Sequence, residues 1–148
     1  MRRLALLPLL AFVAAACGGG DEESGPLSRA EYTRKANAIC VAVERKLDAL
    51  GGFESYDELS KEMKTGEKAL RTSVEELRDL QPPENLRKGH EEFISFQEET
   101  ADIAASISIA AGEDDNLEMQ KQAERADKVT IAANEAARKI GLEDCVAG

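Results

Sequence analysis

The chain has 148 residues, with 29 acidic against 19 basic side chains, one histidine and three cysteines, for a formal charge of −10. That length suits one domain. The negative balance disfavours nucleic acid and anionic lipid surfaces as partners, since both are polyanions. The lack of tryptophan and the few aromatic residues argue against a stacking platform for bases or sugars.

Residues 1–17 read MRRLALLPLLAFVAAAC. A basic start at Arg2 and Arg3 leads into an apolar run broken only by Pro8, and then into Ala14-Ala15-Ala16. That is the layout of a secretory signal. The run is too short to span a bilayer comfortably, which takes about 20 residues. Two cleavage readings stand. Ala14-Ala15-Ala16 fits an ordinary A-x-A site. Residues 13–17 also resemble a bacterial lipoprotein signal, in which the cysteine after the cut carries lipid. The resemblance departs from that pattern at Ala14, where the family prefers leucine. It implies lipidation of Cys17 and a membrane contact through acyl chains, each buried CH₂ contributing about 0.8 kcal/mol. Cysteine counting agrees with it. Cys40 and Cys145 can pair, which leaves Cys17 as an odd, exposed thiol unless a thioether consumes it. Removing the signal, residues 1–16, also removes Arg2 and Arg3 and takes the charge from −10 to −12.

Residues 17–27 form the expected linker. The stretch GGGDEESGP holds no apolar side chain and cannot bury anything. A flexible linker of that length spans roughly 15–18 Å. The folded domain is expected over residues 28–148.

Ser28 and Glu31 form a capping-box pattern that opens a first helix. Tyr32, Ala36, Ile39, Val43, Leu47 and Leu50 follow at steps of three and four. Gly51-Gly52 should end that helix in a left-handed conformation. Ser55 and Glu58 repeat the capping pattern before Tyr56, Leu59, Met63, Leu70, Val74 and Leu77. Gly66 interrupts this second stripe, as a site of close helix contact or at a cost of about 1 kcal/mol. Gln81-Pro82-Pro83 stops the helix. A third helix is expected over residues 83–111, with Leu86, Phe93, Phe96, Thr100, Ile103, Ile107 and Ala110 inward and Gly112 closing it. Asp115 and Glu118 open a fourth, with Met119, Ala123, Ala126, Thr130, Ala133, Ala137 and Ile140 inward. Gly141-Leu142 reads as a left-handed cap with its apolar follower. Four long amphipathic helices joined by short turns predict an all-α fold, an antiparallel up-down-up-down four-helix bundle. No segment alternates as a strand would.

In that topology the end of the fourth helix lies near the start of the first. Residues 141–144 would then fold back to bring Cys145 to Cys40. The competing use of the two cysteines is as free thiols for redox or metal chemistry, but neither belongs to a C-x-x-C. The strings YTRKANAIC, ending at Cys40, and GLEDC, ending at Cys145, resemble small actinobacterial lipoproteins. Those proteins share an Ala-x-x-Ile-Cys-like helix and a terminal Gly-Leu-x-x-Cys. The resemblance covers the two ends of the domain. It implies the same anchor and staple and brings no catalytic residue.

Other chemistries lack their residues. A di-iron bundle needs Glu-x-x-His pairs, and Arg87 stands three residues before the sole histidine, His90. His90 reads as a boundary residue satisfied by water. Haem held by His90 with Met63 or Met119 is conceivable, but the methionines fit as core filler. Glu91, Glu98 and Asp102, with Glu92 and Glu99 beside them, read as a solvated face rather than a catalytic pair. Residues 113–116 lack the spacing of a calcium loop. No G-x-S-x-G and no phosphate-binding glycine loop occurs. No cofactor and no catalytic residue is therefore expected. Asn37, Gln97, Thr100 and Thr130 are candidates for a polar layer, which would fix register or contact a small ligand.

The expected function is a lipid-anchored cell-envelope module for binding or protein interaction without catalysis, its partner an unknown envelope protein or small ligand. The alternative is a small-ligand or cofactor carrier with a pocket inside the bundle. A hydrolase is the remotest reading. The protein would be extracytoplasmic and membrane-anchored, or secreted and soluble if Cys17 stays unmodified. A deep pocket lined by Asn37 or Thr100 would favour the carrier, and exposed apolar surface would favour a protein partner.

Overall fold

The structure is a computed structural model that describes residues 25–147. The signal, Cys17 and most of the linker lie outside the described residues. Four helices account for the domain: α1 Arg29–Asp48, α2 Tyr56–Arg78, α3 Arg87–Gly112 and α4 Asn116–Ile140. Short 3₁₀ turns cover Glu84–Leu86 and Glu143–Cys145, and no strand occurs among the described residues. Each helix packs on the next through a short connection, giving an antiparallel four-helix bundle. Its most extensive helix contacts are α2 with α3 and α3 with α4.

The starts of α1, α2 and α4 follow the sequence closely, whereas α3 begins at Arg87, after the Glu84–Leu86 3₁₀ turn, and not at Pro83 as expected. The Ser28 side chain accepts from the Glu31 N–H, and the Glu31 carboxylate accepts from the Ser28 N–H, completing a capping box. Ser55 caps α2 in the same way, but Glu58 turns to the Glu54 N–H instead, at 2.8 Å. Asp115 accepts from the Glu118 N–H at 3.0 Å.

The helix ends follow expectation at α2, which stops before Gln81-Pro82-Pro83, at α3, which closes on Gly112, and at α4, and depart from it at α1. α1 stops at Asp48, and neither Gly51 nor Gly52 adopts positive φ. Its last turn tightens through a Leu50 N–H to Leu47 C=O bond of 3.0 Å, so no left-handed residue is needed. After α3 the left-handed residue is Asp114 (φ 56°), while Gly112 remains helical. The Asp115 and Asp114 N–H groups bond the Ala110 and Ala111 carbonyls, a Schellman closure that aspartate tolerates better than most side chains. Gly141 (φ 80°) acts as foreseen, with Leu142 N–H on Ala137 C=O and Gly141 N–H on Arg138 C=O.

The main core gathers at the end of the bundle where α1 begins. Tyr32, Leu77, Phe93 and Leu142 are fully buried there, and Ala36, Val74, Ile94, Ala137 and Ile140 pack with them. The inward stripe of α1 ends early. Cys40 is its last buried residue, and Val43, Leu47 and Leu50 are only half-buried. The Glu143–Cys145 turn touches both α1 and α4, standing between them. On α4 the buried face in the first half is Gln122 and Val129, with Ala123 exposed and Ala126 and Thr130 half-buried. That face is rotated by one residue from the apolar pattern, because a glutamine takes a core place.

Two glycines let helices close up. A Cβ on Gly66 would lie 3.3 Å from Leu50 Cδ1 and 3.4 Å from Leu47 Cδ2. A Cβ on Gly89 would lie 2.4 Å from Ile140 Cγ2. That is well inside van der Waals contact, so α3 and α4 meet closely at this point. Gly89→Ala gains about 1 kcal/mol of helix propensity but forces an overpacking cost of about 1–3 kcal/mol. Urea unfolding should therefore show a lower midpoint for Gly89→Ala. Combined with Ile140→Ala, which removes the clashing methyl, it should cost less than it does alone.

Candidate functional site

The chain return at Gly141 sets the geometry of the most distinctive site. Leu142 plugs into the core, and the 3₁₀ turn after it carries Cys145 to the middle of α1. Cys40 and Cys145 stand at disulfide distance, with sulfurs 2.02 Å and Cα atoms 5.1 Å apart. The tail then runs on to Asn134 of α4. The Asn134 side-chain amide donates to the Ala147 carbonyl at 3.0 Å, and its oxygen accepts from the Ala147 N–H at 2.9 Å. The last residues are thus bound to the first helix by sulfur and to the last by a paired amide contact.

The four polar candidates do not form a layer. Asn37 is half-buried in a shallow groove with Arg34, Arg45 and Asp144, its Oδ1 3.8 Å from Cys145 Sγ. Gln97 lines a different depression of about 160 Å³ beside the clasp, with Val43, Leu47 and Leu70. The Thr100 hydroxyl donates to the Phe96 carbonyl of its own helix at 2.9 Å. Thr130 is half-buried on α4. No hydrogen bond joins any two of these side chains among the described residues.

Buried polarity lies elsewhere. His90 is only 4% exposed, not a water-satisfied boundary residue. Its Nδ1 is 2.9 Å from the Tyr32 hydroxyl, and the rings meet edge to face at 5.4 Å. With hydrogen on Nε2, Nδ1 accepts from Tyr32. Burial pushes the imidazole below its ordinary value, against smaller pulls from the Leu77 carbonyl and the Glu91 carboxylate. Burial likewise pushes the Tyr32 phenol up to about 12. Both shifts favour the neutral pair. The sequence held one signal for this: His90 lies four residues after the buried Leu86 and three before Phe93. Ser60 and Ser108 make a second tie, each hydroxyl donating to the other's carbonyl at 2.7 and 2.8 Å. Gln122 donates to Glu118 at 2.7 Å while its buried Oε1 has no partner.

The acidic face of α3 is more than solvated. Asp102 pairs with Arg71 at 2.9 Å, and Glu98 with Arg78, both across to α2. Glu99 pairs with Arg125 at 2.7 Å and Glu92 with Lys139 at 3.8 Å, both across to α4. Such exposed pairs are worth about 0–1 kcal/mol each, so they align helices more than they stabilise them. No group of three or more potential metal ligands occurs among the described residues. None of the described helices is long and apolar enough to cross a membrane.

A surface cleft of about 490 Å³ opens where Pro26 meets the α2–α3 connection. Arg78, Arg87, Glu91 and Glu98 ring it, and His90 and Ile94 form part of its wall. Among the described residues the large apolar side chains left in water are Phe53, Tyr56, Ile109, Leu117 and Ile131. No family model, curated protein or solved structure matches this chain. The geometry alone therefore defines its class, a four-helix bundle clasped between its first helix and its C-terminal turn.

Two outcomes follow. Replacing Cys40 and Cys145 together by alanine opens a closed loop of 105 residues, which should cost up to about 4.7 kcal/mol in chemical unfolding. The His90 value is depressed on folding, so protonation favours the unfolded chain. Stability should be level above pH 7 and fall as pH drops below the ordinary value of 6.5, a slope that His90→Gln should flatten.

Proposed function

We propose that this chain is a lipid-anchored, extracytoplasmic binding module that engages another envelope protein without catalysing a reaction. The observation that carries this reading is the pairing of a side-chain-filled interior with large apolar side chains held in water. Leu117 is 79% and Ile109 63% exposed on regular helices. Scattered exposed apolar residues are ordinary, but four of these five, Phe53, Tyr56, Ile109 and Leu117, gather on the elements at one end of the bundle, which supports an interaction surface there. The N-terminal signal and the cysteine arithmetic supply the address. Cys17 would carry acyl chains, and the linker after it would hold the bundle just clear of the headgroups.

A small-ligand carrier is the second reading. The cleft beside His90 favours it, being within the size range of small-molecule sites and lined by both charges. It opens at the end of the bundle rather than inside it.

Expression in a bacterial host with a clickable palmitate analogue tests the anchor. The mature chain should carry label, stay with membranes after a carbonate wash and leave them in detergent. Cys17→Ser should abolish the label and send the protein to the soluble fraction. An unlabelled wild-type chain in that soluble fraction would overturn the anchor.

A further inference from the structure

We infer that the end of the bundle opposite the linker is a docking surface for a cationic, partly apolar segment of another protein. The inference rests on the binding-module reading and names the chemistry of the partner.

That end is built from the α1–α2 loop, the first turns of α2, the last turn of α3 and the first turn of α4. These parts are fastened to one another. The Tyr56 hydroxyl donates to Asn116 Oδ1, so the first residues of α2 and α4 touch. The reciprocal Ser60 and Ser108 bonds lock α2 to α3 one turn further in. Four of the five exposed large apolar side chains sit on these parts: Phe53 (53%), Tyr56, Ile109 and Leu117. The opposite end buries its own large side chains, Tyr32, Phe93 and Leu142. Leu117 stands on the first turn of α4, where capping is done by Asp115 and a polar residue would serve the helix as well.

Charge selects the occupant. Residues 53–60 contain Glu54, Asp57 and Glu58, and residues 109–119 contain Glu113, Asp114, Asp115 and Glu118, with no lysine or arginine in either stretch. Asp115 and Glu58 accept local backbone N–H bonds, and Glu118 is paired with Lys121 of its own helix at 3.1 Å. A second copy of the chain would set the other six carboxylates against six, and an anionic bilayer would be repelled in the same way. A segment carrying lysine or arginine among large apolar side chains is complementary on both counts. Apolar contact would supply affinity, and the carboxylates would supply steering and discrimination.

The test uses the full chain with Cys17→Ser, to keep acyl chains out of the assay, and a fluorescent 18-residue amphipathic peptide of leucine and lysine. Phe53→Ser with Leu117→Ser should weaken binding at least about tenfold. Neutralising Glu54, Asp57, Glu113 and Asp114 to their amides should weaken it by about tenfold and remove most of its salt dependence. Two controls away from this end, Ile131→Ser and Glu92→Gln with Glu124→Gln, should stay within about twofold. Amide shifts in NMR should concentrate over residues 53–60 and 109–119. Equal loss in the controls, shifts spread along α3, or no binding would overturn the docking surface. A natural partner that still binds the Phe53→Ser, Leu117→Ser chain would overturn it as well, while leaving the binding-module reading intact.

Discussion

The placement of the first helix rests on the return of the chain at Gly141. α1 does not find its second neighbour in α4 directly. The residues after α4 turn back and stand between the two helices. A left-handed glycine makes the reversal, a buried leucine seats it, and the Cys40 and Cys145 sulfurs hold it. The buried part of α1, Tyr32 to Cys40, is the part this return covers. Beyond Cys40 the helix loses burial, and its packing narrows to α2, where Gly66 admits Leu47 and Leu50. The bundle is therefore a full four-helix core at one end and closer to a three-helix core with a leaning fourth at the other.

This asymmetry gives the molecule two unlike ends. At the linker end Leu27 donates to the Gln81 carbonyl at 2.8 Å, tying the entering chain to the α2–α3 connection. The neutral His90–Tyr32 pair lies in the core at that end, where either charged form would be penalised by burial. At the far end hydroxyl bonds tie α2 to α3 and α4, while the carboxylates crowd and apolar side chains meet water. Between them the acids of α3 reach bases on both neighbouring helices, a pattern that sets register without much energy.

Helix number, the starts of α1, α2 and α4, and the cysteine pairing were legible in the sequence because each rests on a local or countable signal. Ser28, Ser55 and Asp115 are capping residues at fixed offsets from an acid. Two cysteines on the first helix and just after the last, which an up-down bundle brings together, have few other places to go. What could not be read were features that only tertiary packing decides. Gln122 is polar by type yet takes a core place, so the apolar pattern misassigns the inner face of α4. Gly89 looks like any helical glycine until Ile140 is brought against it. Asn37, Gln97, Thr100 and Thr130 shared a chemical type but no common surface. His90 was misjudged because its partner, Tyr32, is 58 residues away.

The clasp also imposes an order on the making of the molecule. Cys40 is synthesised 105 residues ahead of Cys145. The bond can form only once all four helices and the turn after them have been made. Until then the earlier thiol is unmated and open to exchange with whatever oxidant or foreign cysteine it meets. A polypeptide cut short before Cys145 keeps that thiol for good, so the closed bond certifies a bundle made through its fourth helix.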